Sequence, residues 1–458
     1  MNKKIILGIG VGFGILFLAG FFVVLIKYPG LIPSDELSET QEFFLKRHGE
    51  PHIINPDFNI EVFINNLNFP TKITFVNETM LVSQKIDGQI FAIEQGIQNK
   101  NPILDLNVES FGERGLVGIE SAYENDQFFI LVYYTESNTN TDTYSNWISP
   151  NYKSNLGSKL VRYTWDDGRL INPEILFQPI IKSNSLHQGG ALEFSNGIIF
   201  LGTGDNDEPS YITNDPRQEE RSTTGAIYAL DIHGNPYTKN PFIENADLKY
   251  FYALGIRNIY GLSTDPITGN LWDTENGPAE FDEVNLVFPG FNSGWNKIMG
   301  PLGKGNFSKP ISTLTQIENS KYADPIFSWK QTVAPTAIEF LTSNNFNQNY
   351  KNDVFIGDVR GNLYHFDLNE KRDAFLFNNL TLEDNIADDF SELTDNLIAE
   401  NLGLITDIKI GPDGNLYVVS LIFDNDEPGW KIHRDQITSG DKNLGSGKGI
   451  IFKISPVS

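Results

Sequence analysis

Cysteine is missing altogether from the 458 residues. Neither a disulfide nor a thiolate metal site can hold this chain, so its stability has to come from a large buried core or from ions bound by oxygen. Basic residues are few: 34 Lys and Arg stand against 59 Asp and Glu, a formal net charge of −25. That balance excludes nucleic acid as a partner, because neutralising phosphates needs a basic footprint. It also disfavours close contact with anionic lipid headgroups. It suits Ca2+, a hard cation taken by carboxylate and carbonyl oxygens. Helical periodicity is scarce too, with no convincing period over ten or more residues beyond the first 26.

What is present begins with an apolar run. Residues 5–26 carry no charge, and their 22 residues are enough to cross a bilayer core of ~30 Å. Lys3 and Lys4 precede the run and only Lys27 follows it closely, which places the N-terminus in the cytoplasm. The run exceeds a typical secretory signal and lacks a small-x-small cleavage site. The expectation is a single-pass membrane protein with an anchor at 1–28, a linker at 29–58, and a domain at 59–458 that is extracellular or periplasmic.

The rest is 40% hydrophobic across the whole chain, with 33 Phe and 17 Tyr, which excludes a disordered acidic tail and favours strands. A short pattern recurs: glycine, any residue, Ile or Leu, then an aromatic. It occurs as Gly88-Gln-Ile-Phe91, Gly197-Ile-Ile-Phe200, Gly225-Ala-Ile-Tyr228, Gly269-Asn-Leu-Trp272, Gly361-Asn-Leu-Tyr364, Gly414-Asn-Leu-Tyr417 and Gly449-Ile-Ile-Phe452. Each reads as a tight turn launching a buried strand, with a partner strand just before it. Strand pairs repeated along some 400 residues point to an all-β propeller, since one sandwich cannot absorb so many hairpins. The spacing is irregular, so long loops interrupt the sheets, and such loops are where binding residues sit.

Three segments carry chemistry. His187 lies against Gly189 and Gly190 and precedes Thr203-Gly-Asp205. A histidine beside glycines that admit a ligand suits a general base, and a structural histidine has the same local pattern. Arg257-Asn258 offers a fixed charge and an amide from a loop, or a plain surface pair. Residues 275–283 hold Glu275, Glu280, Asp282 and Glu283 around the turn Gly277-Pro278. That oxygen-rich stretch suits Ca2+ or a solvated acidic turn, but lacks the spacing of an EF-hand.

Taken in this order, the segments resemble the glucose/sorbosone dehydrogenase family. The resemblance starts near residues 66–71, passes through Gly112-Glu113-Arg-Gly115 and 129–135, and ends at 410–418 and 454–456. It implies a six-bladed propeller that oxidises a sugar or alcohol with pyrroloquinoline quinone (PQQ) in a top-face cleft; tethered by the expected anchor, such an enzyme would pass electrons to a membrane acceptor. On that resemblance His187 takes the hydroxyl proton and Arg257 stabilises charge at the quinone. Glu113, Asn258, Asn276, Asp282 and Thr336 line the cleft. The carbonyls of Gly277 and Pro278 hold one Ca2+, and Glu283 with the Ser293 carbonyl a second. The family's PQQ clamp is a lysine and an Arg-x-Arg pair; this chain has Val359 at the lysine position and Leu404-Ile405-Thr406-Asp407 before Ile410. Arg360 is the basic residue nearest the lost lysine. A propeller that binds carbohydrate or a protein without redox chemistry is the second reading, and a calcium-dependent lactonase the third.

Overall fold

The computed structural model describes residues 51–137, 142, 157–179, 186–215, 223–422 and 448–457. It is an all-β, propeller-like arrangement, and among these residues the only helical pieces are short 3-10 turns. The strands form six sheets. Each starts from an innermost strand and builds outward, mostly in antiparallel order. The innermost strands are Pro70–Val76, Leu116–Glu124, Ala191–Ser195, Ile259–Thr264, Pro335–Phe340 and Leu404–Ile410. Each touches the next in sequence, and the last touches the first, so the ring closes. The closing sheet mixes both ends of the described chain: Phe58–Asn68 pairs with Lys448–Pro456 along its whole length.

The glycine-aromatic pattern explains how the sheets are made. All seven copies fall at the start of the second or third strand of a sheet. In the sheet holding Ala191–Ser195, Asn196 (φ +52) and Gly197 (φ +77) form the two-residue turn into Ile198–Thr203. Both central residues have positive φ, the geometry that matches the right-handed twist of a hairpin. The aromatic that follows is carried into the space between sheets. Six hydrophobic clusters result, one between each pair of neighbouring sheets. Trp272, Phe327, Phe355 and Phe452 are almost wholly buried in them, and each such side chain contributes roughly 1.5–3 kcal/mol.

A narrow cavity runs between the innermost strands of all six sheets, lined by Lys72, Glu120, Asp407 and Lys409 among others. Lys409 pairs with Glu120 at 2.7 Å and reaches Glu339 at 3.9 Å. Burial pushes Glu193 up to about 7 and Glu339 up to about 8, opposed by Lys409. A carboxyl group whose folded pKa is raised keeps its proton in the folded state after losing it in the unfolded one. Stability is therefore expected to fall as pH rises from about 5 to about 8. The double substitution Glu193→Gln with Glu339→Gln flattens that slope in thermal melts.

The membrane localisation expected from the sequence is corrected. Among the described residues no helix is long and apolar enough to cross a membrane. The run at 5–26, on which the anchor rests, lies outside the described residues, as do 29–50 of the expected linker. Apolar length does not by itself establish a spanning helix. The described end of the expected linker contributes a short strand, His52–Ile53, paired to Ala399 and Glu400.

Candidate active site

His187 sits where the chain turns into Ala191–Ser195, with φ +51 and 1% exposure. The turn needs Gly189: a Cβ there would lie 2.6 Å from the Gly202 oxygen. The His187 Nδ1 is 2.6 Å from Asp205 Oδ1. A carboxylate cannot donate, so Nδ1 carries the hydrogen, and in the neutral ring Nε2 is the acceptor. That Nε2 is buried and has no protein partner. Asp205 Oδ2 accepts from Trp295 Nε1 at 2.5 Å, which fixes the carboxylate in turn.

Arg257 is joined to the same group. Its guanidinium lies over the Trp295 ring, 5.3 Å from the centroid, and its carbonyl accepts from the Asp205 amide. Nη1 donates to the carbonyls of Asn276 (2.7 Å) and Gly277 (3.0 Å). Burial lowers the pKa of Arg257, and the surrounding Asp205, Asp207, Asp282 and Glu275 oppose this. Asn276 is fully buried with neither amide atom partnered, and Asn258, also fully buried, accepts the Asn276 amide on its backbone oxygen. Asp282 ties the loops together: one oxygen accepts from the Gly277 amide at 2.7 Å, the other from Val333 and Ala334 at 2.6 Å each. Burial pushes Asp282 up to about 6. Pro278 is half-buried beside this turn.

An open cavity of about 150 Å³ adjoins these residues, lined in part by Glu113, Gly189, Tyr260 and Thr336. Glu113 links it to the histidine segment, since one oxygen accepts from the Gln188 amide at 3.3 Å while the other has no partner. Thr336 is tied down by its hydroxyl, which donates to the Ile405 carbonyl at 2.6 Å. Val359, Leu404 and Thr406 line the same cavity. Arg360 does not: its guanidinium stacks on Phe390 at 3.8 Å and donates to the Thr332 carbonyl at 2.5 Å.

Glu283 belongs to a neighbouring buried group, joined to the first where Glu275 Oε1 accepts from the Arg257 amide at 2.6 Å. Asp273 and Glu275 on one strand face Asn285 and Glu283 on the next, and all four are at most 1% exposed. The Ser293 hydroxyl lies 2.6 Å from Glu275 and 3.3 Å from Glu283. Burial raises Asp273 and Glu283 well above the usual carboxylate range and pushes Glu275 up to about 8.

The model of the family described as Glucose / Sorbosone dehydrogenase matches residues 67–427. The chain belongs to that family. It is 24% identical over 368 residues to the aldose sugar dehydrogenase YliI of Escherichia coli, covering 79% of this chain and 90% of that protein. The fold is shared with the soluble aldose sugar dehydrogenase of Escherichia coli in its apo-form, with TM-score 0.62, 21% identity, and 87% and 100% of the two chains covered. It is also shared with the PQQ-bound aldose sugar dehydrogenase of Streptomyces coelicolor, with TM-score 0.58, 20% identity, and 88% and 99% covered.

The geometry thus brings His187, Arg257, Asn258, Asn276, Asp282 and the Gly277 turn into one connected group. Glu113 and Thr336 reach the adjoining cavity, and Arg360 lies apart. Sequence reading gave no role to Asp205, Trp295 or Asp273. Only Asp205 had a local signal, a carboxylate just past the strand Ile198–Thr203.

Proposed function

We propose that the chain is a six-bladed propeller enzyme that oxidises a hydroxyl of a sugar or alcohol, with PQQ as hydride acceptor. Six sheets and six intervening cores support the blade count. Membership of the dehydrogenase family supports the chemistry. The observation that carries the reading is the buried, unpartnered His187 Nε2, held as an acceptor by Asp205.

A redox quinone fits the end of the cavity next to the histidine segment. There Glu113 Oε1 needs a polar partner that the protein does not supply, and His187 Nε2 and the Asn276 amide, in the connected group outside the lining, lack one too. When bound, the quinone supplies a two-electron acceptor for the hydride leaving the alcohol carbon. His187 Nε2 accepts the hydroxyl proton as that carbon becomes a carbonyl. Asp205 holds the ring in the required tautomer and stabilises it once protonated. Arg257, preorganised by two carbonyls, offers positive charge where negative charge develops.

Calcium is proposed at the buried group of Asp273, Glu275 and Glu283, whose oxygens have to draw together around it, since they do not all lie within 4.8 Å of one another. Three carboxylates enclosed together need either protons or a cation, and Asp273 and the Asn285 oxygen lack partners. The Gly277 carbonyl is a poorer ligand, because Arg257 already donates to it.

The test is reconstitution of the purified full chain with PQQ and Ca2+, followed by aldose-dependent reduction of a dye. Dye reduction that requires both additions is the expected result. Absence of quinone binding and of dye reduction leaves the second reading, a propeller that binds carbohydrate or protein without redox chemistry, which the neutral cavity wall at Val359 and Leu404 favours.

A further inference from the structure

PQQ carries three carboxylates, and each needs a hydrogen-bonded cation or solvent. The cavity wall offers Val359, Leu404 and Thr406, none of them charged. The basic residues near the cavity can be taken one by one. Lys72 lines it, but its ammonium is held by Asp407 Oδ1 at 3.2 Å and the Tyr260 carbonyl at 3.1 Å. Arg257 is committed to two carbonyls, and Arg360 lies outside the lining.

Lys85 is different. It lines the cavity, is 8% exposed, and follows directly on the strand Thr79–Gln84. Its backbone is fixed on both sides: the amide donates to the Phe69 carbonyl and the carbonyl accepts from Leu116. The ammonium donates to the Ser110 carbonyl at 3.2 Å and lies over the Phe69 ring, 5.3 Å from the centroid. One acceptor for three N–H donors leaves two directions open. Among the described residues no carboxylate stands within ion-pair distance of it; Glu113 and Glu109 act on it only from farther away. Burial brings its pKa down to about 8, as expected of a desolvated cation short of a counter-ion.

We infer that Lys85 is the anchoring residue for a carboxylate of the bound quinone, and that this chain grips its cofactor at one charged point rather than three. The inference rests on the quinone reading above. A single charge-assisted bond sets affinity lower than a full clamp would and makes the cofactor exchangeable. The remaining wall, including Val117 and Leu421, covers flat aromatic surface without demanding charge.

Binding, not turnover, is the readout. The full chain in Ca2+ is titrated with PQQ and with 9,10-phenanthrenequinone, a planar quinone that has no carboxylate, by tryptophan fluorescence quenching. Lys85→Met is expected to weaken PQQ binding about 10- to 100-fold and to leave phenanthrenequinone unchanged. Lys85→Arg restores PQQ binding to within a few-fold. The double variant Leu404→Arg with Thr406→Arg, which adds charge to the opposite wall, tightens PQQ binding by at least about tenfold. Equal weakening of both quinones by Lys85→Met, or of neither, overturns the inference and leaves the quinone reading intact. Binding of neither quinone to the parent chain or to the arginine variant removes both.

Discussion

Replacing His187 by glutamine lowers kcat/KM for the sugar by roughly 10²- to 10⁴-fold, the range for loss of a positioned general base. The melting temperature and the affinity for the quinone change much less, because the glutamine NH2 can donate to Asp205 in place of Nδ1, while the acceptor lost, Nε2, has no protein partner. Asp205→Asn is expected to fall in the same range for a different reason. Asparagine can present its NH2 to Nδ1, which moves the ring hydrogen to Nε2 and leaves no acceptor facing the substrate. The pair separates a base from a bystander. A merely structural histidine would lose stability in both variants and keep its turnover per folded molecule. Rates corrected for folded fraction decide it, and unchanged corrected rates would remove His187 from the chemistry.

Chelation of calcium gives the second large effect. Asp273, Glu275 and Glu283 are enclosed with no lysine within ion-pair distance among the described residues. Stripping a cation from such a group obliges its carboxyls, raised by burial, to take up protons in its place and forfeits the binding free energy of the ion. A chelator should therefore lower the melting temperature by several degrees. The midpoint should climb again with added Ca2+, by about 1.4 kcal/mol of stability per tenfold excess over Kd. Asp273→Asn with Glu283→Gln removes the dependence, since two of the three carboxylates that would hold the ion are gone. Coincident melts with chelator and with millimolar Ca2+ would dismiss the ion.

The strands were legible because their signal is local. A glycine or Asn-Gly turn followed by an aromatic marks where a hairpin reverses, and every copy of that pattern launches a strand. The closed ring was legible only as an inference from repetition. Nothing around residue 60 announces that it pairs with residue 454. Site residues split the same way. His187 and the 275–283 stretch stood out by composition, whereas Asp205 and Trp295 meet across 90 residues of sequence. Arg360 shows the limit most clearly. Its neighbour Val359 faces the cavity, while Arg360 follows its turn outward to Phe390. Lys85 was overlooked for a related reason: a lysine ending a strand reads as a solvated charge until the Phe69 and Ser110 segments are seen to close over it.

The sheet that joins Phe58–Asn68 to Lys448–Pro456 has a consequence for biosynthesis. A nascent chain still on the ribosome holds Phe58–Asn68 unpaired until Lys448–Pro456 emerges, so that strand edge stays open through most of translation. Leu404, Thr406 and Leu421 come from this same sheet. A polypeptide released early therefore lacks one wall of the cavity as well as the clasp, and cofactor loading can only follow completion of the ring.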